Sequence, residues 1–374
     1  MRYAMVMAGG AGTRLWPMSR KDKPKQLLRF IEQPGHARPK SLLELAVDRL
    51  EGLIPPAQQY ICTAEGYRAA ILESLPGFED HRILGEPMGR DTVNAVGLAA
   101  AVFQKLDPDA VFAVLTADHI IEPHDRFREL MDLGFKLVEA DPTRLVTFSI
   151  KPTYPATGFG YVERGTPLAG NESLAFKVAR FVEKPDLPRA MAYVQSGVFG
   201  WNSGMFVWRA STVMEALARF KPESHAGLKE VQDAWGTPRA REVLARVYPT
   251  LPKTSVDYAI MEPASKSKDR AFSVCTVQMD LRWLDVGSWP SYGQTLEPDK
   301  ADNRQALGGA DGGKGILVNS SGSLLVNTAP GHTVALLGCK DLIVVHTPDA
   351  TLVMPRDRAE ELKELHGQVE ERLK

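Results

Sequence analysis

The sequence predicts an α/β fold: a mostly parallel sheet with helices on both faces, then a small C-terminal β unit and a closing helix. Three observations carry that expectation. Over residues 1–150 short apolar runs alternate with segments of helical periodicity, the pattern of strands joined by crossover helices. The first apolar run ends in a Gly9-Gly10-Ala11-Gly12 turn, as a buried parallel strand does when it enters a ligand loop. Beyond residue 315, short strand-like pieces recur about nine residues apart.

Ala4–Ala8 reads as the first strand. Ser41-Leu42-Leu43-Glu44 is a capping box opening a helix, with Leu43, Ala46, Val47 and Leu50 on one face. Gln59–Thr63 is a strand, Tyr67–Leu75 a helix stopped by Pro76-Gly77, and Arg82–Gly85 a further strand. Asp91 is placed to cap a helix carrying Val93, Val96, Ala99, Ala100 and Phe103. Ala110–Leu115 is a strongly apolar strand running into Thr116-Ala117-Asp118-His119, and the helix Phe127–Ala140 leads to a strand at Leu145–Ile150. From 150 to about 290 the pattern is less regular. Phe176–Glu183 alternates like an antiparallel strand, Asn202–Arg209 reads as a strand and Thr212–Phe220 as a helix.

Residues 1–297 are thus expected to form one large unit, 298–315 with its GGADGGKG run a linker, and 316–374 a small unit. The pieces Ile316–Asn319, Leu324–Asn327, Thr333–Leu337, Leu342–His346 and Thr351–Met354 suit a few turns of a β-helix. A helix over Arg358–Leu373 places Leu362, Leu365, Val369 and Leu373 in one stripe, for core packing or for a subunit contact.

Composition narrows the function classes. The 374 residues are 44% apolar and 24% charged with net charge −1, so electrostatics favours neither nucleic acid nor an acidic membrane surface. Cys62, Cys275 and Cys339 are widely spaced without a C-x-x-C, which suits reduced thiols in a cytoplasmic protein. No apolar run approaches the ~20 residues that span a bilayer, and the chain enters a strand without a signal-peptide core.

Chemistry concentrates between Tyr3 and Gln26. Glycine amides can approach an anion closely, and Arg14, Arg20, Lys21, Lys23 and Lys25 follow within twelve residues, which suits a polyphosphate. The dinucleotide fingerprint does not fit, because Leu15 stands where its third glycine belongs, and no P-loop run occurs. Arg14 can fork two phosphate oxygens and Lys25 supplies a compact charge. Arg20, Lys21 and Lys23 read as solvated loop charges or secondary phosphate contacts. Asp118, just past an apolar strand, and Asp285, in a turn between tryptophans, are candidate Mg²⁺ ligands or turn aspartates bonded to their own backbone. His119 reads as a packing histidine more readily than as a base.

The segment MAGGAGTRLWPMSR followed by PKQ resembles the signature of sugar-nucleotide pyrophosphorylases, in their mannose-1-phosphate guanylyltransferase branch. GEPMGRDT (85–92), TADHII (116–121), TGFGYVERG (157–165), FVEKP (181–185), WNSGMFVW (201–208), SVDYAIME (255–262) and WLDVGSW (283–289) follow in that family's order. The resemblance implies a Rossmann-like nucleotide-diphospho-sugar transferase fold over 1–297 and a cytoplasmic homodimer with contacts from 316–374. It implies GTP and mannose 1-phosphate as substrates and GDP-mannose and pyrophosphate as products. Arg14, Lys25, Asp118 and Asp285 would be catalytic, the two aspartates sharing Mg²⁺. Ala8, Gly9, Gly10, Gly12, Thr13, Arg14, Lys25, Arg90, Asp91, Thr92 and Asp118 would hold the nucleotide, the Asp91-Thr92 helix start presenting free N–H groups. Gly160, Glu183, Lys184, Asn202 and Asp257 would hold the sugar phosphate. The chain reads Asp91-Thr92-Val93-Asn94 where relatives tend to carry Asn-Thr-Ala-Pro. Relatives with an added cupin-like isomerase domain are longer, so isomerase activity is not expected. Another nucleotide and sugar phosphate pair, or a non-catalytic sensor of nucleotide sugars, are the alternative readings.

Overall fold

Alternate residues of the first strand, β1 (Arg2–Met7), enter different cores: Tyr3 and Met5 pack on one side of the sheet, Ala4 and Val6 on the other. That is what a strand covered by helices on both faces requires. The computed structural model describes residues 1–10, 12–32, 38–171, 173–267, 271–308 and 312–374.

The main sheet adds β2 (Gln59–Ala64), β3 (Ile83–Glu86), β4 (Val111–Thr116), β5 (Arg144–Ile150), β6 (Tyr161–Pro167), β7 (Ala175–Val182), β8 (Phe199–Arg209) and β9 (Ser273–Met279), in lateral order β3-β2-β1-β4-β8-β5-β9-β7-β6. The pairs β1–β2, β1–β4, β2–β3 and β5–β9 are parallel. Only β8, between β4 and β5, and β7, between β9 and β6, run against the rest. The α/β, mostly parallel expectation holds, including the antiparallel β7. Ser41 and Glu44 form the expected reciprocal capping box of α1 (Leu42–Asp48).

Two local expectations need correction. Asp91 is the first residue of the helix Asp91–Leu106, not its cap: it stands at φ 63°, and its carboxylate accepts from the adjacent Thr92 N–H (2.8 Å). The closing helix is broken into a 3₁₀ turn (Arg356–Glu361), a short α-helix (Leu362–Gln368) and a second 3₁₀ turn (Glu371–Leu373). Tertiary bonds hold its C-terminal end, where the Leu373 carbonyl accepts from the Trp16 indole (2.8 Å) and the Arg20 guanidinium (2.7 Å). The stripe divides accordingly: Leu362 is buried and Leu365 is 43% exposed.

In the C-terminal unit Arg304 lies opposite Leu324, Leu324 opposite Ile343, and Lys314 opposite Thr333, all in parallel ladders. This is the stacking of a short β-helix, closed by an antiparallel strand (Thr351–Pro355). Part of the expected linker, residues 309–311, lies outside the described residues. One apolar core joins Leu15, Trp16, Val286 and Trp289 to Leu324, Ile343, Leu352 and Leu362 of this unit. The three cysteines are free thiols. Among the described residues no helix is long and apolar enough to cross a membrane.

Candidate active site

Past β1 the chain enters a loop held by its neighbours. The Ala8 N–H donates to the Cys62 carbonyl (2.8 Å) and the Thr63 hydroxyl to the Ala8 carbonyl (3.0 Å). Gly10 and Gly12 stand at φ 105° and 62°, where a Cβ is disfavoured. At Gly12 space forbids one as well, because it would lie 2.7 Å from Lys25 Cβ. Thr13 opens the 3₁₀ turn that carries Arg14. The Gln26 amide donates to the Gly9 carbonyl (2.8 Å) and the Ser19 hydroxyl to the Gly12 carbonyl (2.7 Å). Gln26 was not among the expected site residues, yet it braces the glycine turn against the Pro-Lys-Gln segment.

Lys25 is 8% exposed, and its Nζ donates to Asp118 Oδ2 (2.8 Å). Asp285 reaches the same place through a ladder the sequence did not announce. His119–Glu122 pairs antiparallel with Arg282–Asp285, setting Asp285 opposite His119, and the Val286 N–H donates to the Asp118 carbonyl (2.9 Å). One ligand atom each from Asp118, His119 and Asp285 then lie within 4.8 Å of one another.

Burial works against charge on Asp118, but the Lys25 ammonium and the His119 ring together outweigh it and hold the carboxyl well below the usual range. Burial and then the Asp118 charge push Asp285 up to about 6, against the pull of Lys25 and Arg14. Asp285 Oδ1 is buried without a hydrogen-bond partner. Two crowded carboxylates, one with an orphaned oxygen, fit a divalent cation of the hard, oxygen-seeking kind. His119 fits a supporting part instead. Its Nδ1 receives the Trp283 indole N–H (3.2 Å) and lies 2.6 Å from the Thr116 hydroxyl; Nε2 stands 3.6 Å from Asp118 Oδ1. Burial pushes this ring down to about 4, so it is neutral at pH 7 and its acceptor nitrogen is taken.

Arg14 borders Asp285: a Cβ on Gly287 would lie 3.1 Å from Asp285 Oδ1 and 3.2 Å from Arg14 Nη2. Its Nη1 donates to both oxygens of Glu360 in the C-terminal unit (2.8 and 3.1 Å). Arg20, 14% exposed at its side chain, is not a solvated loop charge but donates to Asp349 (2.8 Å), whereas Lys21 remains solvated, its exposed side chain pairing with Glu371. Arg90 donates to the Pro249 carbonyl, and the Thr92 hydroxyl accepts from Val256 N–H (2.9 Å). The expected free amides of this turn are therefore partly taken, Thr92 N–H by Asp91 and Val93 N–H by the Thr254 carbonyl (3.3 Å).

Glu86, at the end of β3, is a functional candidate the sequence reading passed over inside GEPMGRDT. It is 8% exposed, takes the Tyr248 hydroxyl on Oε1 (2.6 Å), and turns Oε2 toward Gly9, 3.9 Å from where a Cβ would stand. Burial raises its pKa, the Tyr248 bond opposing.

The expected sugar-phosphate residues do converge. A Cβ on Gly160 would lie 2.5 Å from Glu183 Oε2, and Asn202 N–H donates to the Gly160 carbonyl (2.8 Å). Lys184 pairs with Glu183. The Thr147 hydroxyl donates to Asn202 Oδ1 (2.9 Å), which leaves Asn202 Nδ2 to donate to Asp257 (2.9 Å). Trp283 links the two halves, edge-on to His119 (4.8 Å) and to Phe159 (5.3 Å) and tilted against Trp201 (6.3 Å).

Burial, then the Glu183 charge, push Asp257 up to about 7, Lys184 opposing. The folded chain thus keeps a proton that the unfolded chain loses above the ordinary aspartate value of 3.8. Its contribution lowers stability as pH rises from about 4 to about 7, with no further change above that. Asp257→Asn is expected to melt higher than the parent at pH 8 and equally at pH 4; equal shifts at both pH values would contradict this.

A model of the nucleotidyl transferase family matches residues 3–301, and one of the MannoseP isomerase/GMP-like beta-helix domain matches 313–369. A Klebsiella pneumoniae protein named mannose-1-phosphate guanylyltransferase is 37% identical over 366 residues, 97% of this chain and 73% of the relative. An Escherichia coli (strain K12) protein of the same name is 36% identical over 98% of this chain and 73% of its own length. A crystal structure described as mannose-1-phosphate geranyltransferase from Thermus thermophilus aligns with TM-score 0.82 at 33% identity, covering 98% of both chains.

Proposed function

The chain belongs to the mannose-1-phosphate guanylyltransferases of the nucleotidyl transferase family, and we propose on that premise that it transfers GMP from GTP to α-D-mannose 1-phosphate, giving GDP-mannose and pyrophosphate. The observation that carries the reading is the Lys25–Asp118–Asp285 cluster at the mouth of the glycine turn.

In this reading the glycine loop receives the triphosphate, and Lys25 and Arg14 exchange their carboxylate partners for phosphate oxygens. Glu183 accepts from sugar hydroxyls and Lys184 holds the sugar phosphate. A sugar phosphate has a second pKa near ~6 by analogy with phosphorylated side chains, so its oxygen attacks already ionised and needs no base. A bond forms from that oxygen to the α-phosphorus in line, the bond to the bridging oxygen breaks, and pyrophosphate leaves with the electron pair. Mg²⁺ on Asp118 and Asp285 would supply positive charge beside the phosphate oxygens. Once on the phosphates, these cations stabilise the charge that develops as pyrophosphate leaves.

Glu86 gives the base its selectivity in this proposal. With Oε1 taken by Tyr248, the carboxylate edge remains to accept N–H groups, of which guanine's Watson–Crick edge offers two and adenine's lacks that arrangement. Pyrophosphate release with each NTP and sugar 1-phosphate pair tests the function; best turnover with a pair other than GTP and mannose 1-phosphate would overturn it. In the same assay Glu86→Gln should lower kcat/KM for GTP by roughly 10- to 100-fold and narrow its lead over ATP, as losing a hydrogen bond to a charged group does. A homodimer through the C-terminal unit is part of the proposal, supported by exposed Ile316, Val318 and Leu337. A monomer in sedimentation would remove it.

A further inference from the structure

Directly beneath the turn that carries Asp118 lies a cation that neither the motifs nor the reaction scheme uses. Arg49 follows the last residue of α1 and is 1% exposed. Its Nη1 donates to the His119 carbonyl (3.0 Å) and its Nη2 to the Thr116 carbonyl (3.4 Å), while the guanidinium carbon sits 5.5 Å from the centre of the Phe127 ring. Its Nε has no partner, and among the described residues Arg49 forms no ion pair. A guanidinium stays charged in proteins, and burying it is costly; the Asp118 and Asp48 charges and the two carbonyls offset that cost without any direct ion pair. An apolar side chain would serve packing better at this place.

What the arginine does that an apolar residue cannot is set by its shape. The planar fork ties together two carbonyls three residues apart, on either side of Asp118, so it fixes the turn from the buried side. The other cations near the pair, Lys25 and Arg14, come from the glycine-turn segment and are the ones proposed to move onto phosphate. Arg49 alone of the three stays where it is throughout.

We propose that Arg49 is a positioning residue for the transfer reaction: its buried fork holds the Asp118 turn in the geometry that captures a divalent cation beside Asp285. The inference rests on the reading of Asp118 and Asp285 as the cation's ligands. It predicts that Arg49→Met and Arg49→Lys lose cation affinity by about 10- to 100-fold, the scale seen when groups that orient metal ligands from behind are removed.

The test is Mn²⁺ binding to the full chain by calorimetry, with melting curves in chelator and the Mg²⁺ dependence of turnover, for the parent, both Arg49 variants and Asp285→Asn. Expected are folded Arg49 variants with weakened Mn²⁺ binding and a raised half-saturating Mg²⁺, their kcat recovering to within several-fold of the parent at saturation. Parent-like Mn²⁺ binding in a folded Arg49 variant overturns the proposal, provided Asp285→Asn has lost binding. Unchanged binding in Asp285→Asn instead overturns the underlying reading of the ligands. If neither Arg49 variant melts cooperatively, the residue serves the core and the proposal falls.

Discussion

Lys25→Met lowers turnover by about two to three orders of magnitude at saturating GTP and Mg²⁺, the scale of losing one preorganised charge donor at the reacting phosphate. Methionine keeps most of the stem that packs on Gly12 and removes only the ammonium, so the effect reports charge and not a cavity. A second readout separates catalysis from folding. Lys25 is the strongest influence holding the Asp118 carboxyl low, so its removal raises that pKa. Lys25 also pulls Asp285 down against its rise to about 6, so in the variant both carboxylates ionise later and the acidic limb of kcat/KM should move to higher pH. Near-parent turnover, or a fixed acidic limb, would remove Lys25 from the phosphate site. Melting separates the remaining possibility, because Asp118 is 27% exposed at its side chain and can be solvated when its partner is lost.

The glycine turn and Lys25 were legible from the chain alone because they are adjacent in sequence and their chemistry is carried by residue type. The mostly parallel sheet was legible for the same local reason, each strand and helix announcing itself by period. Asp285 was a turn aspartate on its own evidence. Its place beside Asp118 depends on the ladder between His119–Glu122 and Arg282–Asp285, two four-residue strands whose pairing no local pattern specifies. Arg49 looked like an ordinary helix-end arginine, since its meaning lies in carbonyls 67 and 70 positions away. Arg20 was misread because its partners come from the far end of the chain. The closing helix was expected whole because its stripe is regular, and tertiary bonds to the Leu373 carbonyl are invisible to periodicity. Local signals yielded the elements; long-range pairing decided which side chains meet.

The same pairing makes Asp285→Asn the sharpest test of what the site is built to do. Burial and the Asp118 charge disfavour an ionised Asp285, as its rise to about 6 records. The fold holds a proton there that the unfolded chain releases above the ordinary value of 3.8, so without a cation stability falls as pH rises from about 4 to about 6. Asparagine removes the charge at nearly constant shape. In chelator at pH 8 the variant should melt above the parent by a degree or more, since a gain on the order of 1 kcal/mol moves a chain of this size by roughly 1–2 °C. At pH 4 the two should melt alike. Added Mg²⁺ reverses the order: it stabilises the parent by mass action and does little for the variant. Turnover in the variant should fall by two orders of magnitude or more, as for the loss of a charge that acts on the reacting phosphates. A variant that melts higher but works poorly marks a residue kept for function at the expense of stability. If Asp285→Asn melts lower than the parent in chelator at pH 8, the two aspartates are held by structure and not by a cation, and the metal reading of the site is wrong.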